Sequence, residues 1–226
     1  SNSHSLIGGI MGAGIAGLGF EKLVYDGLAK VFTGIIVAPI GGMMFGIAAT
    51  GLIIYFFARR KPAIVNRTFG RLQIISSAWF ALTHGANDGQ KTMGIIVLIL
   101  FSVGLIEELE MPLWVIFAAA GAMGLGTFFG GYKVIKTLGV KVTRLKPYQG
   151  FAAETSGGIM LAVFATLGIP ASTTHAITGT IMGAGSARRI RAVRWKVSRQ
   201  IIFSWVITIP GAAGLGIAFT YIIHLF

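Results

Sequence analysis

The run HGANDGQKTMG, His84 to Gly94, concentrates polar chemistry inside an otherwise apolar stretch of chain. Asp88 and Lys91 stand three residues apart, a spacing that puts them on one face of a helix where they neutralise each other. Neutralisation accounts for the two charges but leaves Asn87, Gln90, Thr92 and the flanking glycines unexplained. The Asp88 carboxylate and the Asn87 carbonyl are hard oxygen donors suited to Na+, with backbone carbonyls freed at a helix break as further ligands. Alternatively Asp88 takes up a coupling proton if burial raises its affinity for one. Gln90 completes this cation-coupling group. A second polar cluster, Ser172, Thr173 and Thr174, directly precedes a helical pattern, as Ser1, Asn2 and Ser3 do at the start of the chain. Such residues cap helices. They also stand where free N–H groups and the positive end of the helix dipole make a ready anion site without a fixed cation. Two tips of this kind facing each other would cradle one tetrahedral oxyanion. Lys91 then either touches that anion or only balances Asp88. His4 and His175 follow the tips, where capping or packing explains them as well as a proton relay does, and His84 reads the same way. Glu154 is placed to pair with Lys91 or with a polar tip. A charge in the membrane costs roughly 2.5 to 3.5 kcal/mol to insert, so these groups are expected to face a cavity or a partner.

The elements that must position them are membrane helices. Apolar residues make up 54% of the 226-residue chain, charged residues 12%, and the mean hydropathy is +0.80. Soluble domains carry roughly twice that charge. With no cysteine, disulfides and thiolate metal sites are excluded. The net charge of +12 suggests nucleic acid until the basic residues are located. They cluster at Arg59 to Arg71, Lys133 to Lys146 and Arg188 to Arg199, each cluster flanked by long apolar runs. That is the pattern of cytoplasmic loops, not of a basic face on a soluble domain.

Using these clusters as inside markers, and the acidic Glu107, Glu108 and Glu110 as an outside marker, divides the chain. Val31 to Phe57 is one span ending inside. Leu72 to Ile106 crosses outward and is longer than one span needs, so its polar, glycine-bearing centre is expected to break the helix. Pro112 to Gly131 returns. Both ends of the next stretch are basic, and its second arm, His175 to Ala187, is too short to cross. This predicts a re-entrant hairpin, with arms Phe151 to Leu167 and His175 to Ala187 and its tip GIPASTTH inside the membrane, lining a cavity. Ile201 to Phe226 then leads outward.

An internal repeat ties the two tips together. SNSHSLIGGIMGAG (Ser1 to Gly14) and STTHAITGTIMGAG (Ser172 to Gly185) share eight identities in 14 positions at an offset of 171, and the same offset lays Pro39 on Pro210 without a gap. The charge pattern orients the copies oppositely, which is the inverted repeat of many secondary transporters. Residues 1–57 are therefore the end of a first repeat (second hairpin arm and a span), 58–71 a basic cytoplasmic loop, and 72–226 the second repeat. The fold class is an all-α polytopic membrane protein, an inverted-repeat transporter with re-entrant hairpins and a broken transmembrane helix. The GAGIAG run matches a dinucleotide fingerprint but follows no strand. The pairs Gly8/Gly12, Gly179/Gly183 and Gly126/Gly130 read as helix packing. No G-x-S-x-G or H-E-x-x-H motif points to a hydrolase, and the chain reads as a non-enzyme without a cofactor.

HGANDGQKTMG, GFAAETSGGIML and GIPASTTHAITGTIMGAG together resemble the second-repeat signatures of the inorganic phosphate transporter (PiT) family, and SNSHSLIGGIMGAG resembles its first-repeat tip. The resemblance covers essentially the whole chain. It implies Na+- or H+-coupled symport of inorganic phosphate across the lipid bilayer of a bacterial cytoplasmic membrane, by a homodimer. Carried onto this sequence, it implies substrate and ion roles for Asn87, Asp88, Ser172, Thr173 and Thr174, and by the repeat for Ser1, Asn2 and Ser3. The family has a first GAND segment that this chain lacks, and the repeat offset places it upstream of Ser1. The chain is accordingly expected to be missing the N-terminal segment of its parent. Sulfate or another oxyanion on the same scaffold, and a passive anion channel, are the alternative readings.

Overall fold

The structure, a computed structural model, describes residues 1–225, and among them every regular element is helical. Seven helices follow in order: α1 (Asn2–Leu18), α2 (Tyr25–Phe57), α3 (Pro62–Ser102), α4 (Leu113–Lys136), α5 (Pro147–Thr166), α6 (Thr173–Ser186) and α7 (Trp195–Ile223). α2, α7, and α4 with its π-helical extension to Val142 are long and apolar enough to cross a membrane. Large apolar side chains such as Phe45, Leu52, Phe128 and Phe203 stand exposed on them, as lipid-facing surface requires.

The main pairings are α1 along α7 and α2 along α6. Exchanging α1 with α6 and α2 with α7 converts one pair into the other, so the packing carries the inverted repeat. Single contacts repeat it too. Ser1 and Ser172, 171 apart, share a hydrogen bond, Oγ to Oγ 2.8 Å. His4 and His175, again 171 apart, meet edge to face with ring centroids 4.3 Å apart. His4 Nδ1 lies 3.3 Å from the Trp205 carbonyl, and His175 Nδ1 lies 3.4 Å from that of Ile35. Trp205 and Ile35 differ by 170, as do the backbone positions met by Gly8 and Gly179 (Ile209, Pro39) and by Gly12 and Gly183 (Ala213, Met43). The repeat therefore shifts by one residue between its hairpin arm and its span. Pro39 and Pro210, matched in the ungapped alignment, are not equivalent in the packing.

Close approach needs glycine at these crossings. A Cβ at Gly8, Gly12, Gly179 or Gly183 would overlap a carbonyl of the facing helix. Gly126 and Gly130 do not behave this way, since a Cβ there meets nothing within 4 Å. The helix-packing reading fails for that pair because α4 presents it to open space.

α3 corrects the expectation of a broken helix. It runs unbroken for 41 residues through the whole HGANDGQKTMG stretch, about 60 Å at the α-helical rise. Glycine weakens a helix by about 1 kcal/mol but, unlike proline, removes no N–H donor. The polar side chains here bond back onto their own helix: Asn87 Nδ2 donates to the Thr83 carbonyl (2.9 Å) and Thr92 Oγ1 to that of Asp88 (3.4 Å). Polarity makes a buried face, not a break.

The basic stretches are likewise less loop-like than their charge suggests. Only residues 58–61 turn between α2 and α3, because Pro62 starts α3 at a position where its missing N–H costs nothing. Arg67 and Arg71 thus lie in the first turns of α3, and Lys133 and Lys136 in the last turn of α4. Arg67 and Arg71 lie past the first turn of α3, where the helix dipole has little hold, so topology and not helix electrostatics sets their position. The hairpin has unequal arms, 20 residues in α5 and 14 in α6. Its turn follows Gly168, whose φ of 63° ends α5 in the left-handed region glycine tolerates. At roughly 21 Å, α6 is too short for a 30 Å hydrocarbon core.

Candidate functional site

The polar centre of α3 meets both tips. Capping fixes the α6 tip: the Ser172 hydroxyl accepts from the His175 N–H at 3.3 Å, and Ser172 is buried. In the next residue the Thr173 hydroxyl lies 3.2 and 3.1 Å from the two Asp88 oxygens. One turn along α3, Lys91 Nζ donates to Asp88 Oδ1 (3.3 Å), to the Ser3 hydroxyl of the α1 tip (2.9 Å) and to the Ala171 carbonyl just ahead of the α6 tip (2.7 Å). One ammonium thus bridges α3, α1 and the hairpin turn. His84, four residues before Asp88, places Nε2 3.2 Å from Asp88 Oδ2.

The Asp88 side chain is 11% exposed and Lys91 18%. A buried ion pair holds only if the remaining lone pairs and protons find partners, and here both ions have them. Asp88 faces three donors from two helices, while Lys91 has one carboxylate and two neutral oxygens. Beside them α1, α3 and α4 enclose a cavity of about 470 Å³. Asn2, Ser3, Asp88, Lys91 and Thr92 form its polar wall, and Ala118, Ala119, Ala122 and Met123 of α4 its apolar wall.

Of the sequence candidates, Ser1, Ser3, Ser172, Thr173, Asp88 and Lys91 are brought together, and Asn2 lines the cavity. Thr174 is half-buried at the start of α6. Asn87 is adjacent in sequence but faces another way. Its amide reaches the Thr83 carbonyl and, at 3.5 Å, that of Leu161 on α5, so Asn87 and Asp88 share no partner. Consecutive helical residues do not face each other, which separates them. Gln90 is exposed. Glu154 does not pair with Lys91 or a tip: its carboxylate accepts from Ser76 (2.6 Å) and Gln73 (3.3 Å) on α3. Ser76 lies twelve residues before Asp88, some 18 Å along the helix.

Three site groups were not assigned from the sequence. His84 carried a signal, since an i, i+4 spacing puts it on the Asp88 face. The Ala171 carbonyl and the Trp205 ring carried none. Trp205 packs on His175 with ring centroids 3.7 Å apart, and depends on the one-residue shift of the repeat. Both tip histidines direct Nδ1 at a backbone carbonyl, which requires that nitrogen to carry the proton. Their Nε2 atoms are buried without a hydrogen-bond partner among the described residues.

Residues 1–216 match the Phosphate transporter family. The chain is 47% identical over 214 residues to a probable low-affinity inorganic phosphate transporter of Rhizobium meliloti (strain 1021), covering 94% of this chain and 64% of that protein. A protein of the same description from Bacillus subtilis (strain 168) is 38% identical over 226 residues, with 100% and 68% covered. A solved structure described as the sodium-dependent phosphate transporter superposes with a TM-score of 0.85 at 24% identity, over 100% of this chain and 74% of that one. That likeness speaks for the fold. The chain spans about two thirds of the length of these two relatives. It belongs to the Phosphate transporter family and is a membrane protein.

Proposed function

We propose, from that membership, that the protein containing this chain is a cation-coupled symporter of inorganic phosphate in a bacterial cytoplasmic membrane. The observation that carries the reading is the Lys91 ammonium, held at once by Asp88, by the Ser3 hydroxyl of one tip and by the carbonyl preceding the other. The anion would enter from the cavity between α1 and α4, toward the N-terminal ends of α1 and α6. The leading N–H groups of those helices have no intrahelical acceptor and are aimed at an incoming charge. Ser1, Asn2, Ser3, Ser172, Thr173 and Thr174 supply the hydroxyl and amide groups around it.

Coupling follows from the Asp88 environment. In this arrangement the carboxylate is occupied by Thr173, His84 and Lys91. A phosphate that takes Lys91 as its partner leaves Asp88 short of one positive charge, and a cation then replaces it. Anion and cation thus favour each other at neighbouring sites, a coupling free energy reciprocal between the two. The cation is Na+, as the description of the structural neighbour suggests, or H+. Asn87 and Gln90 join Asp88 only if α3 turns or unwinds locally. Glu154 acts at a distance from this centre, through Ser76 and Gln73. The chain forms a homodimer in this reading.

The test is uptake of labelled phosphate by the full-length protein in liposomes under imposed Na+ or pH gradients. Accumulation driven by one gradient is expected, with labelled sulfate carried poorly. Phosphate flux that merely equilibrates, with no response to either gradient, would establish a passive channel instead.

A further inference from the structure

A second concave region lies at the basic end of the molecule, where the last turns of α2, the start of α3, the start of α5 and the end of α6 converge. It encloses about 160 Å³. Arg60, Lys146 and Arg188 line it together with Asn66, and no carboxylate is among the lining residues. Both ion pairs found among the described residues go to Asp88, so nothing acidic neutralises these three cations. Like charges gathered in one hollow repel unless an anion joins them.

The opposite wall is apolar. Ile53 and Phe57 belong to the final turns of α2, a helix long and apolar enough to cross a membrane. The hollow therefore sits where a span ends, with hydrocarbon-compatible side chains and cationic ones in the same lining. It is also built rigidly. Phe57 meets Phe69 edge to face and Phe69 meets Phe151 at a tilt, with centroids 5.2 and 5.3 Å apart, joining α2, α3 and α5. Gln149 fastens α5 to α6 by donating to the Ala184 carbonyl at 2.8 Å, while its Oε1 accepts from the Lys146 N–H at 3.0 Å.

We propose that this hollow binds the phosphate headgroup of an anionic phospholipid, with an acyl chain laid along the last turns of α2. Inorganic phosphate would satisfy the cations but has no use for the apolar wall. Basic hollows between helices at the membrane–water boundary are the expected recognition form for such headgroups. The site is separate from the Asp88 centre and does not depend on what that centre transports.

The experiment uses the full-length protein, purified in detergent, stripped of lipid and titrated with phosphatidylglycerol, phosphatidylcholine or inorganic phosphate. Bound lipid is counted by native mass spectrometry, and the thermal midpoint is followed in parallel. Phosphatidylglycerol is expected to be retained and to raise the midpoint, phosphatidylcholine to do neither, and any rise with inorganic phosphate, taken up at the Asp88 centre, to be the same in the parent and in the hollow variants below. The triple variant R60Q/K146Q/R188Q should weaken phosphatidylglycerol binding by on the order of 100-fold. The single Arg188→Gln change, at an exposed side chain, should weaken it by several-fold even if the triple variant folds poorly. K133Q/K136Q, on the same basic end but outside the hollow, should leave it unchanged. Equal retention of both lipids, an equal loss in K133Q/K136Q, or a stabilisation by inorganic phosphate that R60Q/K146Q/R188Q abolishes would each overturn the assignment.

Discussion

The tip at Ser1 to Ser3 and the tip at Ser172 to Thr174 share a sequence pattern and a backbone setting, yet they bond to opposite charges. Position for position, Asn2 corresponds to Thr173 and Ser3 to Thr174. Thr173 reaches the Asp88 carboxylate, whereas Asn2 is exposed on the cavity wall. Ser3 reaches the Lys91 ammonium, whereas Thr174 is half-buried without that contact. The repeat supplies a symmetric frame, and the polar stretch of α3 presents its carboxylate to one tip and its ammonium to the other.

That inequality can be broken most directly at its source. Asp88→Asn keeps shape and hydrogen bonding but removes the anionic partner of Lys91, a loss of about 3 kcal/mol for a broken buried pair. Gradient-driven phosphate uptake by the full-length protein should fall by on the order of 100-fold. Next in size, Thr173→Val removes a hydroxyl bonded to a charged acceptor and should raise KM for phosphate roughly tenfold, while Thr174→Val changes it by less than about threefold. Equal losses at the two threonines would erase the distinction drawn between them. Packing should be more even-handed than chemistry. Gly12→Ala and Gly183→Ala should each cost about 1 to 3 kcal/mol by overpacking, read as similar falls in the thermal midpoint in detergent. Gly9→Ala should cost nothing, since a Cβ there meets open space. The smallest effect is expected at Gln90→Ala, within about twofold of the parent in uptake, because that side chain is exposed.

Much of this could be read before any coordinates. The eight matches between SNSHSLIGGIMGAG and STTHAITGTIMGAG reappear as Ser1 against Ser172 and His4 against His175. That the second hairpin arm, α6, is too short to span was legible from the 30 Å requirement. Helix continuity was not. The GAND stretch looks like a breaker because it is a polar, glycine-bearing centre in a run longer than one span needs, but its side chains find acceptors one turn back and α3 runs on. The partner of Glu154 was illegible for a related reason. An intramembrane carboxylate suggests a cation, and here two neutral donors, Ser76 and Gln73, satisfy it. The one-residue slip between the copies is invisible in an ungapped match and emerges only from which carbonyls the glycines face.

Those glycine crossings limit how the molecule can move. Where Gly8 and Gly12 press on α7, and Gly179 and Gly183 on α2, main chain lies on main chain with no layer of side chains to change rotamer. Each pair is a plank without play. Between the planks the contact runs through the Ser1 and Ser172 hydroxyls, the His4 ring set edge-on to His175, Trp205 packed on His175, and Val197 and Ile201 of α7 against the α6 cluster. Movement of one plank against the other has to repack that seam, where side chains and not main chain meet, and Lys91 is bonded to both of its tips.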